Sequence, residues 1–151
     1  MAKLSTVLGT LFGSGLSPIM PGTCGTFVAL MVIAFLPDPW YAPTTLALAV
    51  AATLFGPGLA DRMISSSGLK DPQKFVLDEG AGIWIACLRF ENPGWVGLLA
   101  AFFFFRLFDM TKPGPVRKLE QLPGGRGVVY DDVAAGLIAL PLSILVQYLA
   151  K

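Results

Sequence analysis

Five apolar segments separated by polar connections dominate this chain of 151 residues. They cover residues 27–37, 45–60, 82–90, 95–108 and 133–150. Runs of more than about ten apolar residues favour helix over strand. Hydrophobic residues make up 54% of the sequence and charged residues 14%, whereas a soluble domain carries about 25% charged residues. The pattern predicts one domain, residues 1–151, with an all-α fold: a small membrane bundle of about five apolar helices.

Some of these segments are too short to cross a bilayer as a regular helix. A spanning helix needs about 20 residues, with a lower limit of roughly 17. Segments 27–37, 82–90 and 95–108 fall short of this length unless their polar flanks enter the membrane. We therefore expect several short helices, and the hairpin 82–108 either spans the membrane or re-enters it.

The basic residues predict an orientation. If each segment crosses once, residues 1–26, 61–81 and 106–132 share one side of the membrane. That side holds Lys3, Arg62, Lys70, Lys74, Arg106, Lys112, Arg117, Lys118 and Arg126. The other side holds Arg89 and Lys151. This asymmetry follows the positive-inside rule for a multi-pass protein with a cytoplasmic N-terminus, although a soluble helical bundle would also keep its charges in loops. The formal net charge of +1 argues against a nucleic-acid partner.

Five carboxylates stand at the ends of the apolar segments, on this same side. They are Asp78 and Glu79 before the third segment, Asp109 after the fourth, and Asp131 and Asp132 before the fifth. Helix dipoles stabilise acidic residues at helix N-termini, so capping is one explanation for the two adjacent pairs. Asp109 is expected at a helix C-terminus, where the dipole opposes it, and an ion pair with Arg106 is the alternative there.

Taken together, these carboxylates predict a site for a divalent cation. The chain contains no histidine, and oxygen ligands without imidazole favour Mg²⁺ or Ca²⁺ over zinc or copper. Mg²⁺ takes one or two protein carboxylates and leaves positions for water and phosphate. Without a cation, carboxylates crowded at one membrane face would repel one another.

Two polar stretches on the same side offer groups that bind phosphate. The stretch 112–126 carries Lys112 and Arg117, and guanidinium groups suit bidentate phosphate binding. Contact with anionic lipid headgroups is the alternative. In the loop GSGLSPIMPGTCGT, residues 13–26, glycines allow backbone N–H groups to turn toward an anion, and Ser14, Thr23 and Thr26 add hydroxyl donors. The loop lacks the Gly-Lys-Ser/Thr of a Walker A motif, so an ordinary connection into a helix is its alternative.

Three blocks of the sequence resemble the phosphatidylglycerophosphatase A family. They are GSGLSPIMPGTCGT, VLDEGAGIWIA, and FRLFDMTKPGPVRKLEQLPGGRGVVYDDVAAG, and they frame residues 13–136. The chain departs from the family pattern at Ile19–Met20, where a more polar pair is usual, and at Gly80 and Gly82, where bulkier residues are common. None of these departures removes a carboxylate or a basic residue.

The resemblance implies an all-helical, magnesium-dependent lipid phosphatase of bacterial glycerophospholipid biosynthesis. Family members remove the terminal phosphate of phosphatidylglycerophosphate and yield phosphatidylglycerol, with the active site on the cytoplasmic face of the inner membrane. The expected partners are therefore the phospholipid substrate and the membrane.

These observations lead us to expect metal-assisted hydrolysis of a phosphomonoester. The expected Mg²⁺ ligands are Glu79, Asp109, Asp131 and Asp132, with Asp78 as a further ligand or beside one. Arg106, Lys112 and Arg117 are expected to hold the phosphate oxygens. Two alternatives are a small transporter, which would need ionisable groups near the bilayer midplane, and a non-catalytic membrane protein that binds anionic lipid through residues 112–126.

Overall fold

The structure is a computed structural model, and it describes residues 2–68 and 74–150, with side chains from residue 6 onward in the first range. All regular elements within these ranges are helical. They are α1 (Ala2–Gly9), a 3-10 helix (Ser14–Leu16), α2 (Pro21–Ala34), α3 (Asp38–Ser67), α4 (Leu77–Ala86), α5 (Gly94–Thr111), α6 (Gly114–Glu120) and α7 (Gly125–Leu149). The predicted all-α fold is confirmed. Lys70, Lys151 and the side chain of Lys3, which were counted for orientation, lie outside the described residues.

Helix α4 lies at the centre of the bundle, in contact with α2, α3, α5 and α7. All its residues from Gly80 to Ala86 are buried, and the indole Nε1 of Trp84 donates a hydrogen bond of 2.9 Å to the carbonyl of Ala29 on α2. With 10 residues, α4 is shorter than a spanning helix. Residues 82–87 of the third apolar segment are therefore hydrophobic because protein surrounds them, and this part of the expected 82–108 hairpin does not face lipid.

A close crossing of α4 and α7 fixes the two helices that carry acidic pairs. A methyl group at Gly82 would overlap the Phe105 ring and the carbonyl oxygen of Asp132, and one at Gly136 would overlap the Gly82 carbonyl. Glycine at both positions lets the backbones approach one another, because no side chain separates them. The start of α4 is thereby held against the part of α7 that carries Asp131 and Asp132.

Three helices are long and apolar enough to cross a membrane: Asp38–Ser67, Gly94–Thr111 and Gly125–Leu149. Their outer faces expose large apolar side chains, among them Leu54 and Phe55 on α3, Phe103 on α5 and Leu145 on α7. Exposed apolar surface on this scale is typical of a face that contacts lipid. The predicted membrane bundle is confirmed, with three long helices and the shorter α2 packed around the central α4 instead of five equal crossings.

The helices alternate in direction, so their ends gather at two opposite poles. At one pole, the side-chain amide of Asn92 donates to the carbonyls of Ala34 and Leu36, each at 3.0 Å, between the end of α2 and the start of α5. At the other pole, Asp61 of α3 accepts a hydrogen bond of 2.6 Å from the backbone N–H of Gly125 at the start of α7. The starts of α2, α4 and α7 and the ends of α3 and α5 meet at this second pole.

Candidate active site

Three buried or largely buried carboxylates converge at the second pole. Asp78 and Glu79 stand in the first turn of α4, and Asp132 stands on α7. One oxygen from each of the three lies within 4.8 Å of the other two. They open onto a pocket of about 610 Å³ formed by the starts of α2, α4 and α7, the end of α5 and the α6–α7 connection. The predicted convergence of these acidic residues is therefore present in the structure.

Local hydrogen bonds orient the two acidic pairs. The backbone N–H of Glu79 donates to Asp78 Oδ1 at 3.0 Å, and the backbone N–H of Asp132 donates to Asp131 Oδ1, also at 3.0 Å. One oxygen of Asp78 and one of Asp131 are thus bound to helix backbone, and all four residues line the pocket. The capping explanation applies to Asp78 and Glu79 in the first turn of α4, where a helix N-terminus stabilises an anion. It is wrong for Asp131 and Asp132, which were expected at the start of the last helix, because α7 already begins at Gly125 and has no acidic residue in its first turn. Capping also does not account for carboxylates from two helices sharing one small volume.

Burial and mutual repulsion raise the pKa values of the α4 carboxyls. Burial raises the pKa of Asp78 well above its usual range, and the charges of Glu79 and Asp132 raise it further. Burial also raises the pKa of Glu79, while the negative charge of Asp109 adds to the effect and Arg106 opposes it. Carboxylates in such surroundings remain ionised more readily when a cation is bound among them.

Arg106 and Asp109 form an ion pair at the end of α5, on the wall of the same pocket. Arg106 Nη1 lies 2.6 Å from Asp109 Oδ2. This is the local pair that the sequence offered as an alternative explanation for Asp109, yet Asp109 also interacts electrostatically with Glu79. Within the described part of the chain, the buried Nε of Arg106 has no hydrogen-bond partner. The guanidinium therefore retains a donor that can bind an anion in the pocket.

Lys112 joins the α5–α6 turn to α6 and α7. Its Nζ lies 2.8 Å from Asp131 Oδ2 and 2.6 Å from Glu120 Oε1. Partial burial lowers the pKa of Lys112, but the hydrogen bonds to Asp131 and Glu120 outweigh it and raise the pKa above its usual value. Glu120 lines the pocket and was not among the predicted site residues. Its only sequence signal is a single acidic residue within the basic stretch 112–126.

Four predicted phosphate-binding residues are not brought to the pocket. The hydroxyl of Ser14 donates to the carbonyls of Thr10 and Leu11, and the hydroxyl of Thr26 donates to the carbonyl of Gly22 within α2. Thr23 and Arg117 are likewise absent from the described pocket lining, and Arg117 is exposed on α6. Of the predicted phosphate-binding groups, Arg106 and Lys112 alone reach the pocket.

Gly22 and Gly25 of the first block serve close packing. A methyl group at Gly22 would overlap Glu79 Oε1 and lie 3.5 Å from Arg106 Nη1, and one at Gly25 would overlap Val76. The absence of a side chain at these positions lets the start of α2 pass directly over the first turn of α4. The loop was interpreted as an anion cradle; its glycines instead let α2 form one wall of the pocket against the carboxylates.

The donor set of the pocket fits a divalent cation such as Mg²⁺. Its three clustered ligands are carboxylate oxygens, which hard cations prefer. The buried Oε2 of Glu79 has no hydrogen-bond partner among the described residues, and a buried acceptor of this kind costs free energy unless a ligand satisfies it. Asp78, Glu79 and Asp132 are the residues placed to hold the ion, while Asp109 and Asp131 border them and are bound to Arg106 and Lys112.

The chain is similar to known proteins over most of its length. A sequence profile of the family described as phosphatidylglycerophosphatase A matches residues 7–147. A Bacteroides thetaiotaomicron protein with the provisional name phosphatidylinositol-3-phosphatase is 41% identical over 96% of this chain and 94% of its own length. The phosphatidylglycerophosphatases A of Escherichia coli and Haemophilus influenzae are 34% and 32% identical, over 88% and 94% of this chain and 77% and 88% of their own lengths.

No solved structure matches the chain. The matched range includes the five carboxylates and the two basic residues of the pocket, Arg106 and Lys112. The resemblance noted from the three sequence blocks is therefore confirmed. The chain is an enzyme, and it belongs to the phosphatidylglycerophosphatase A family.

Proposed function

We propose that this enzyme hydrolyses the terminal phosphomonoester of phosphatidylglycerophosphate, giving phosphatidylglycerol and inorganic phosphate, with Mg²⁺ as cofactor. The observation that carries the proposal is the meeting of Asp78, Glu79 and Asp132 in one pocket with Arg106 and Lys112 on its walls. Such a pocket offers ligands for a cation beside donors for an anion, which is the combination that a phosphate ester requires.

The residues divide into three roles. Asp78, Glu79 and Asp132 would hold the ion, which when bound would neutralise phosphate charge and favour attack by water. Arg106 Nε and Lys112 Nζ would bind phosphate oxygens and stabilise the charge that develops on them. Asp109 and Asp131, which border the three carboxylates, are placed to accept the proton of the attacking water.

The pocket's position supports an active site on the cytoplasmic face of the bacterial inner membrane. Arg62, Lys74, Arg117, Lys118 and Arg126 lie toward the same pole as the carboxylates, whereas Arg89 lies at the other. Basic residues concentrate on the cytoplasmic side of membrane proteins. This is also the side on which a precursor made by cytoplasmic enzymes would arrive.

A second lipid phosphate is a candidate substrate because of one relative. The Bacteroides thetaiotaomicron protein that is 41% identical has a name referring to phosphatidylinositol 3-phosphate. Both lipids are phosphomonoesters on a glycerophospholipid headgroup, so the same cation and the same two basic residues would serve either. The headgroup alcohol distinguishes them, and Glu120 and Gln121 are the polar residues of the α6–α7 side placed to contact it.

Phosphate release from purified enzyme tests the proposal. Phosphatidylglycerophosphate, phosphatidylinositol 3-phosphate and phosphatidic acid would be compared in the same mixed micelles, each with Mg²⁺ and with EDTA. We expect release from phosphatidylglycerophosphate to be fastest and to stop with EDTA. Faster release from phosphatidylinositol 3-phosphate would show that this lipid is the preferred substrate. No release from any of the lipid phosphates would contradict the proposal. The earlier alternatives, a transporter and a non-catalytic lipid-binding protein, predict that last result.

A further inference from the structure

Three exposed apolar residues, here called the apolar rim, lie within two sequence positions of residues that line the pocket. Ile19 and Met20 stand immediately before the pocket residues Pro21 and Gly22, and Met110 immediately follows Asp109. The three side chains are 73%, 57% and 67% exposed. An apolar rim on a highly polar pocket is unexpected for a site that receives its ligand from water, since exposed apolar clusters mark contact with an apolar partner.

This rim continues the lipid-facing surface of two neighbouring helices. On α5 the exposed apolar positions Val96, Leu99, Phe103 and Leu107 lead to Met110. Their spacing of three or four residues places them on one face of the helix. Along α2 the exposed apolar residues are Phe27 and Val32, with Met20 and Phe35 at the two caps of the helix.

The two faces belong to one side of the bundle. At the pole away from the site, the rings of Phe35 and Trp95 meet edge to face with centroids 6.0 Å apart. At the site, the start of α2 lies against Arg106 of α5. Helices α2 and α5 are therefore neighbours at both poles, and the exposed apolar residues of both lead toward the pole of the pocket.

We propose that the lipid substrate reaches the pocket sideways from the bilayer, between the start of α2 and the end of α5, and that Ile19, Met20 and Met110 contact its glycerol backbone and first acyl carbons. The proposal rests on the proposed lipid phosphatase function. The phosphate would lie between Arg106 and Lys112 while the acyl chains remain in the bilayer along the α2–α5 face. These three residues are positioning residues that favour diacyl lipids over the same headgroup in water.

Two substrates that differ only in their acyl chains test this inference. Full-length enzyme and a Met20→Asn, Met110→Gln variant would be assayed with phosphatidylglycerophosphate in vesicles and with its deacylated, water-soluble headgroup. Met20 has a φ of 47°, and Asn tolerates this left-handed conformation, so the substitution adds no backbone strain. Phe90→Gln, at an exposed position of the opposite pole, is the matched control, and Met20→Leu, Met110→Leu tests rescue by apolar side chains.

We expect kcat/KM for the diacyl lipid to fall about tenfold in the Asn/Gln variant, which is about 1.4 kcal/mol of lost apolar contact, and mainly through KM. Turnover of the headgroup should not change, and the control and the Leu variant should match the wild type. Equal loss on both substrates, or no loss on the diacyl lipid, would overturn the inference.

A binding readout separates this inference from the proposed reaction. The photo-crosslinker p-benzoylphenylalanine would be placed at position 110 or at position 90 in vesicles that contain phosphatidic acid, a diacyl phosphomonoester. Capture of phosphatidic acid at position 110 that is reduced by excess inorganic phosphate supports lateral access even if the wild type hydrolyses another substrate. Equal capture at both positions, or capture at 110 that phosphate does not reduce, contradicts it.

Discussion

Lys112 Nζ lies 2.8 Å from Asp131 Oδ2, which links the turn after α5 to the second turn of α7 across 19 residues of sequence. The same ammonium group lies 2.6 Å from Glu120. Lys112 therefore places a positive charge between two carboxylates at the wall of the pocket. A phosphate group that enters the pocket would compete with both carboxylates for this lysine.

Replacing Lys112 with Met should remove a phosphate donor and leave Asp131 without its partner. Removal of one donor that stabilises transition-state charge typically costs about 10²–10³ in kcat, and we expect a loss of that size in phosphate release. Lys118→Met is the matched control, because Lys118 is exposed on α6 and is not part of the described pocket lining. A Lys112→Met enzyme with the kcat of the Lys118→Met enzyme would show that Lys112 does not bind the reacting phosphate.

Gly22→Ala should weaken the binding of Mg²⁺ to the enzyme by displacing Glu79. A methyl group at this position would overlap Glu79 Oε1, and the carboxylate would have to turn away from the other two. We expect the Mg²⁺ concentration for half-maximal activity to rise at least about tenfold, equivalent to about 1.4 kcal/mol of lost ion binding. Gly58→Ala on α3 has no atom within 4 Å of the new methyl and should preserve activity. An unchanged Mg²⁺ requirement in Gly22→Ala would argue against Glu79 as a ligand.

The two free cysteines should differ in reactivity toward maleimide, and the labelling of Cys24 should show which side of the membrane the active site faces. Burial raises the pKa of the Cys87 thiol to about 12, so this thiol stays protonated and unreactive at neutral and moderately alkaline pH. Cys24 is partly exposed in the first turns of α2, at the pole of the active site. A membrane-impermeant maleimide should label Cys24 in inside-out vesicles and leave intact cells unlabelled. Cys24→Ser provides the background, and labelling of intact cells at Cys24 would reverse the proposed orientation.

Arg89→Leu should reduce stability without changing the chemistry. Arg89 donates to the carbonyls of Ala86 and Leu88, to Ser143 Oγ at 2.7 Å and to Gln147 Oε1, so it holds the end of α4 against α7 at the pole opposite the site. Loss of these bonds should lower the free energy of unfolding by roughly 1–3 kcal/mol. The thermal midpoint should fall, while kcat and KM of the folded fraction stay at wild-type values. A raised KM at an unchanged thermal midpoint would place Arg89 in substrate binding.

The sequence predicted the convergence of the carboxylates because helix direction alternates. Once the apolar segments are taken as successive helices, Asp78, Asp109 and Asp132 must lie at one pole. Which of the carboxylates at that pole lie close enough to share a cation was less predictable. Asp78 was expected as a ligand or beside one, and it stands within the three-carboxylate group, because the close α4–α7 crossing at Gly82 brings the first turn of α4 against α7.

Two features of the site were not predictable from local pattern. The glycines around Gly22 have the composition of an anion-binding loop, but whether a glycine donates to a ligand or permits close packing depends on which helix passes over it. Glu120 is a single acidic residue in a basic stretch, and its contact with Lys112 depends on the turn that the chain makes at the end of α5. Hydropathy likewise could not separate α4, which protein surrounds, from helices that face lipid.

Direct binding of a divalent cation tests the central claim most sharply. Mn²⁺, as a paramagnetic substitute for Mg²⁺, would be titrated into the purified enzyme and followed by electron paramagnetic resonance, which needs no assumption about the substrate. We expect saturable binding that Mg²⁺ displaces, and its loss in a Glu79→Gln, Asp132→Asn variant but not in Lys118→Met. Equal Mn²⁺ binding by the wild type and the carboxylate variant would show that Asp78, Glu79 and Asp132 do not form the metal site.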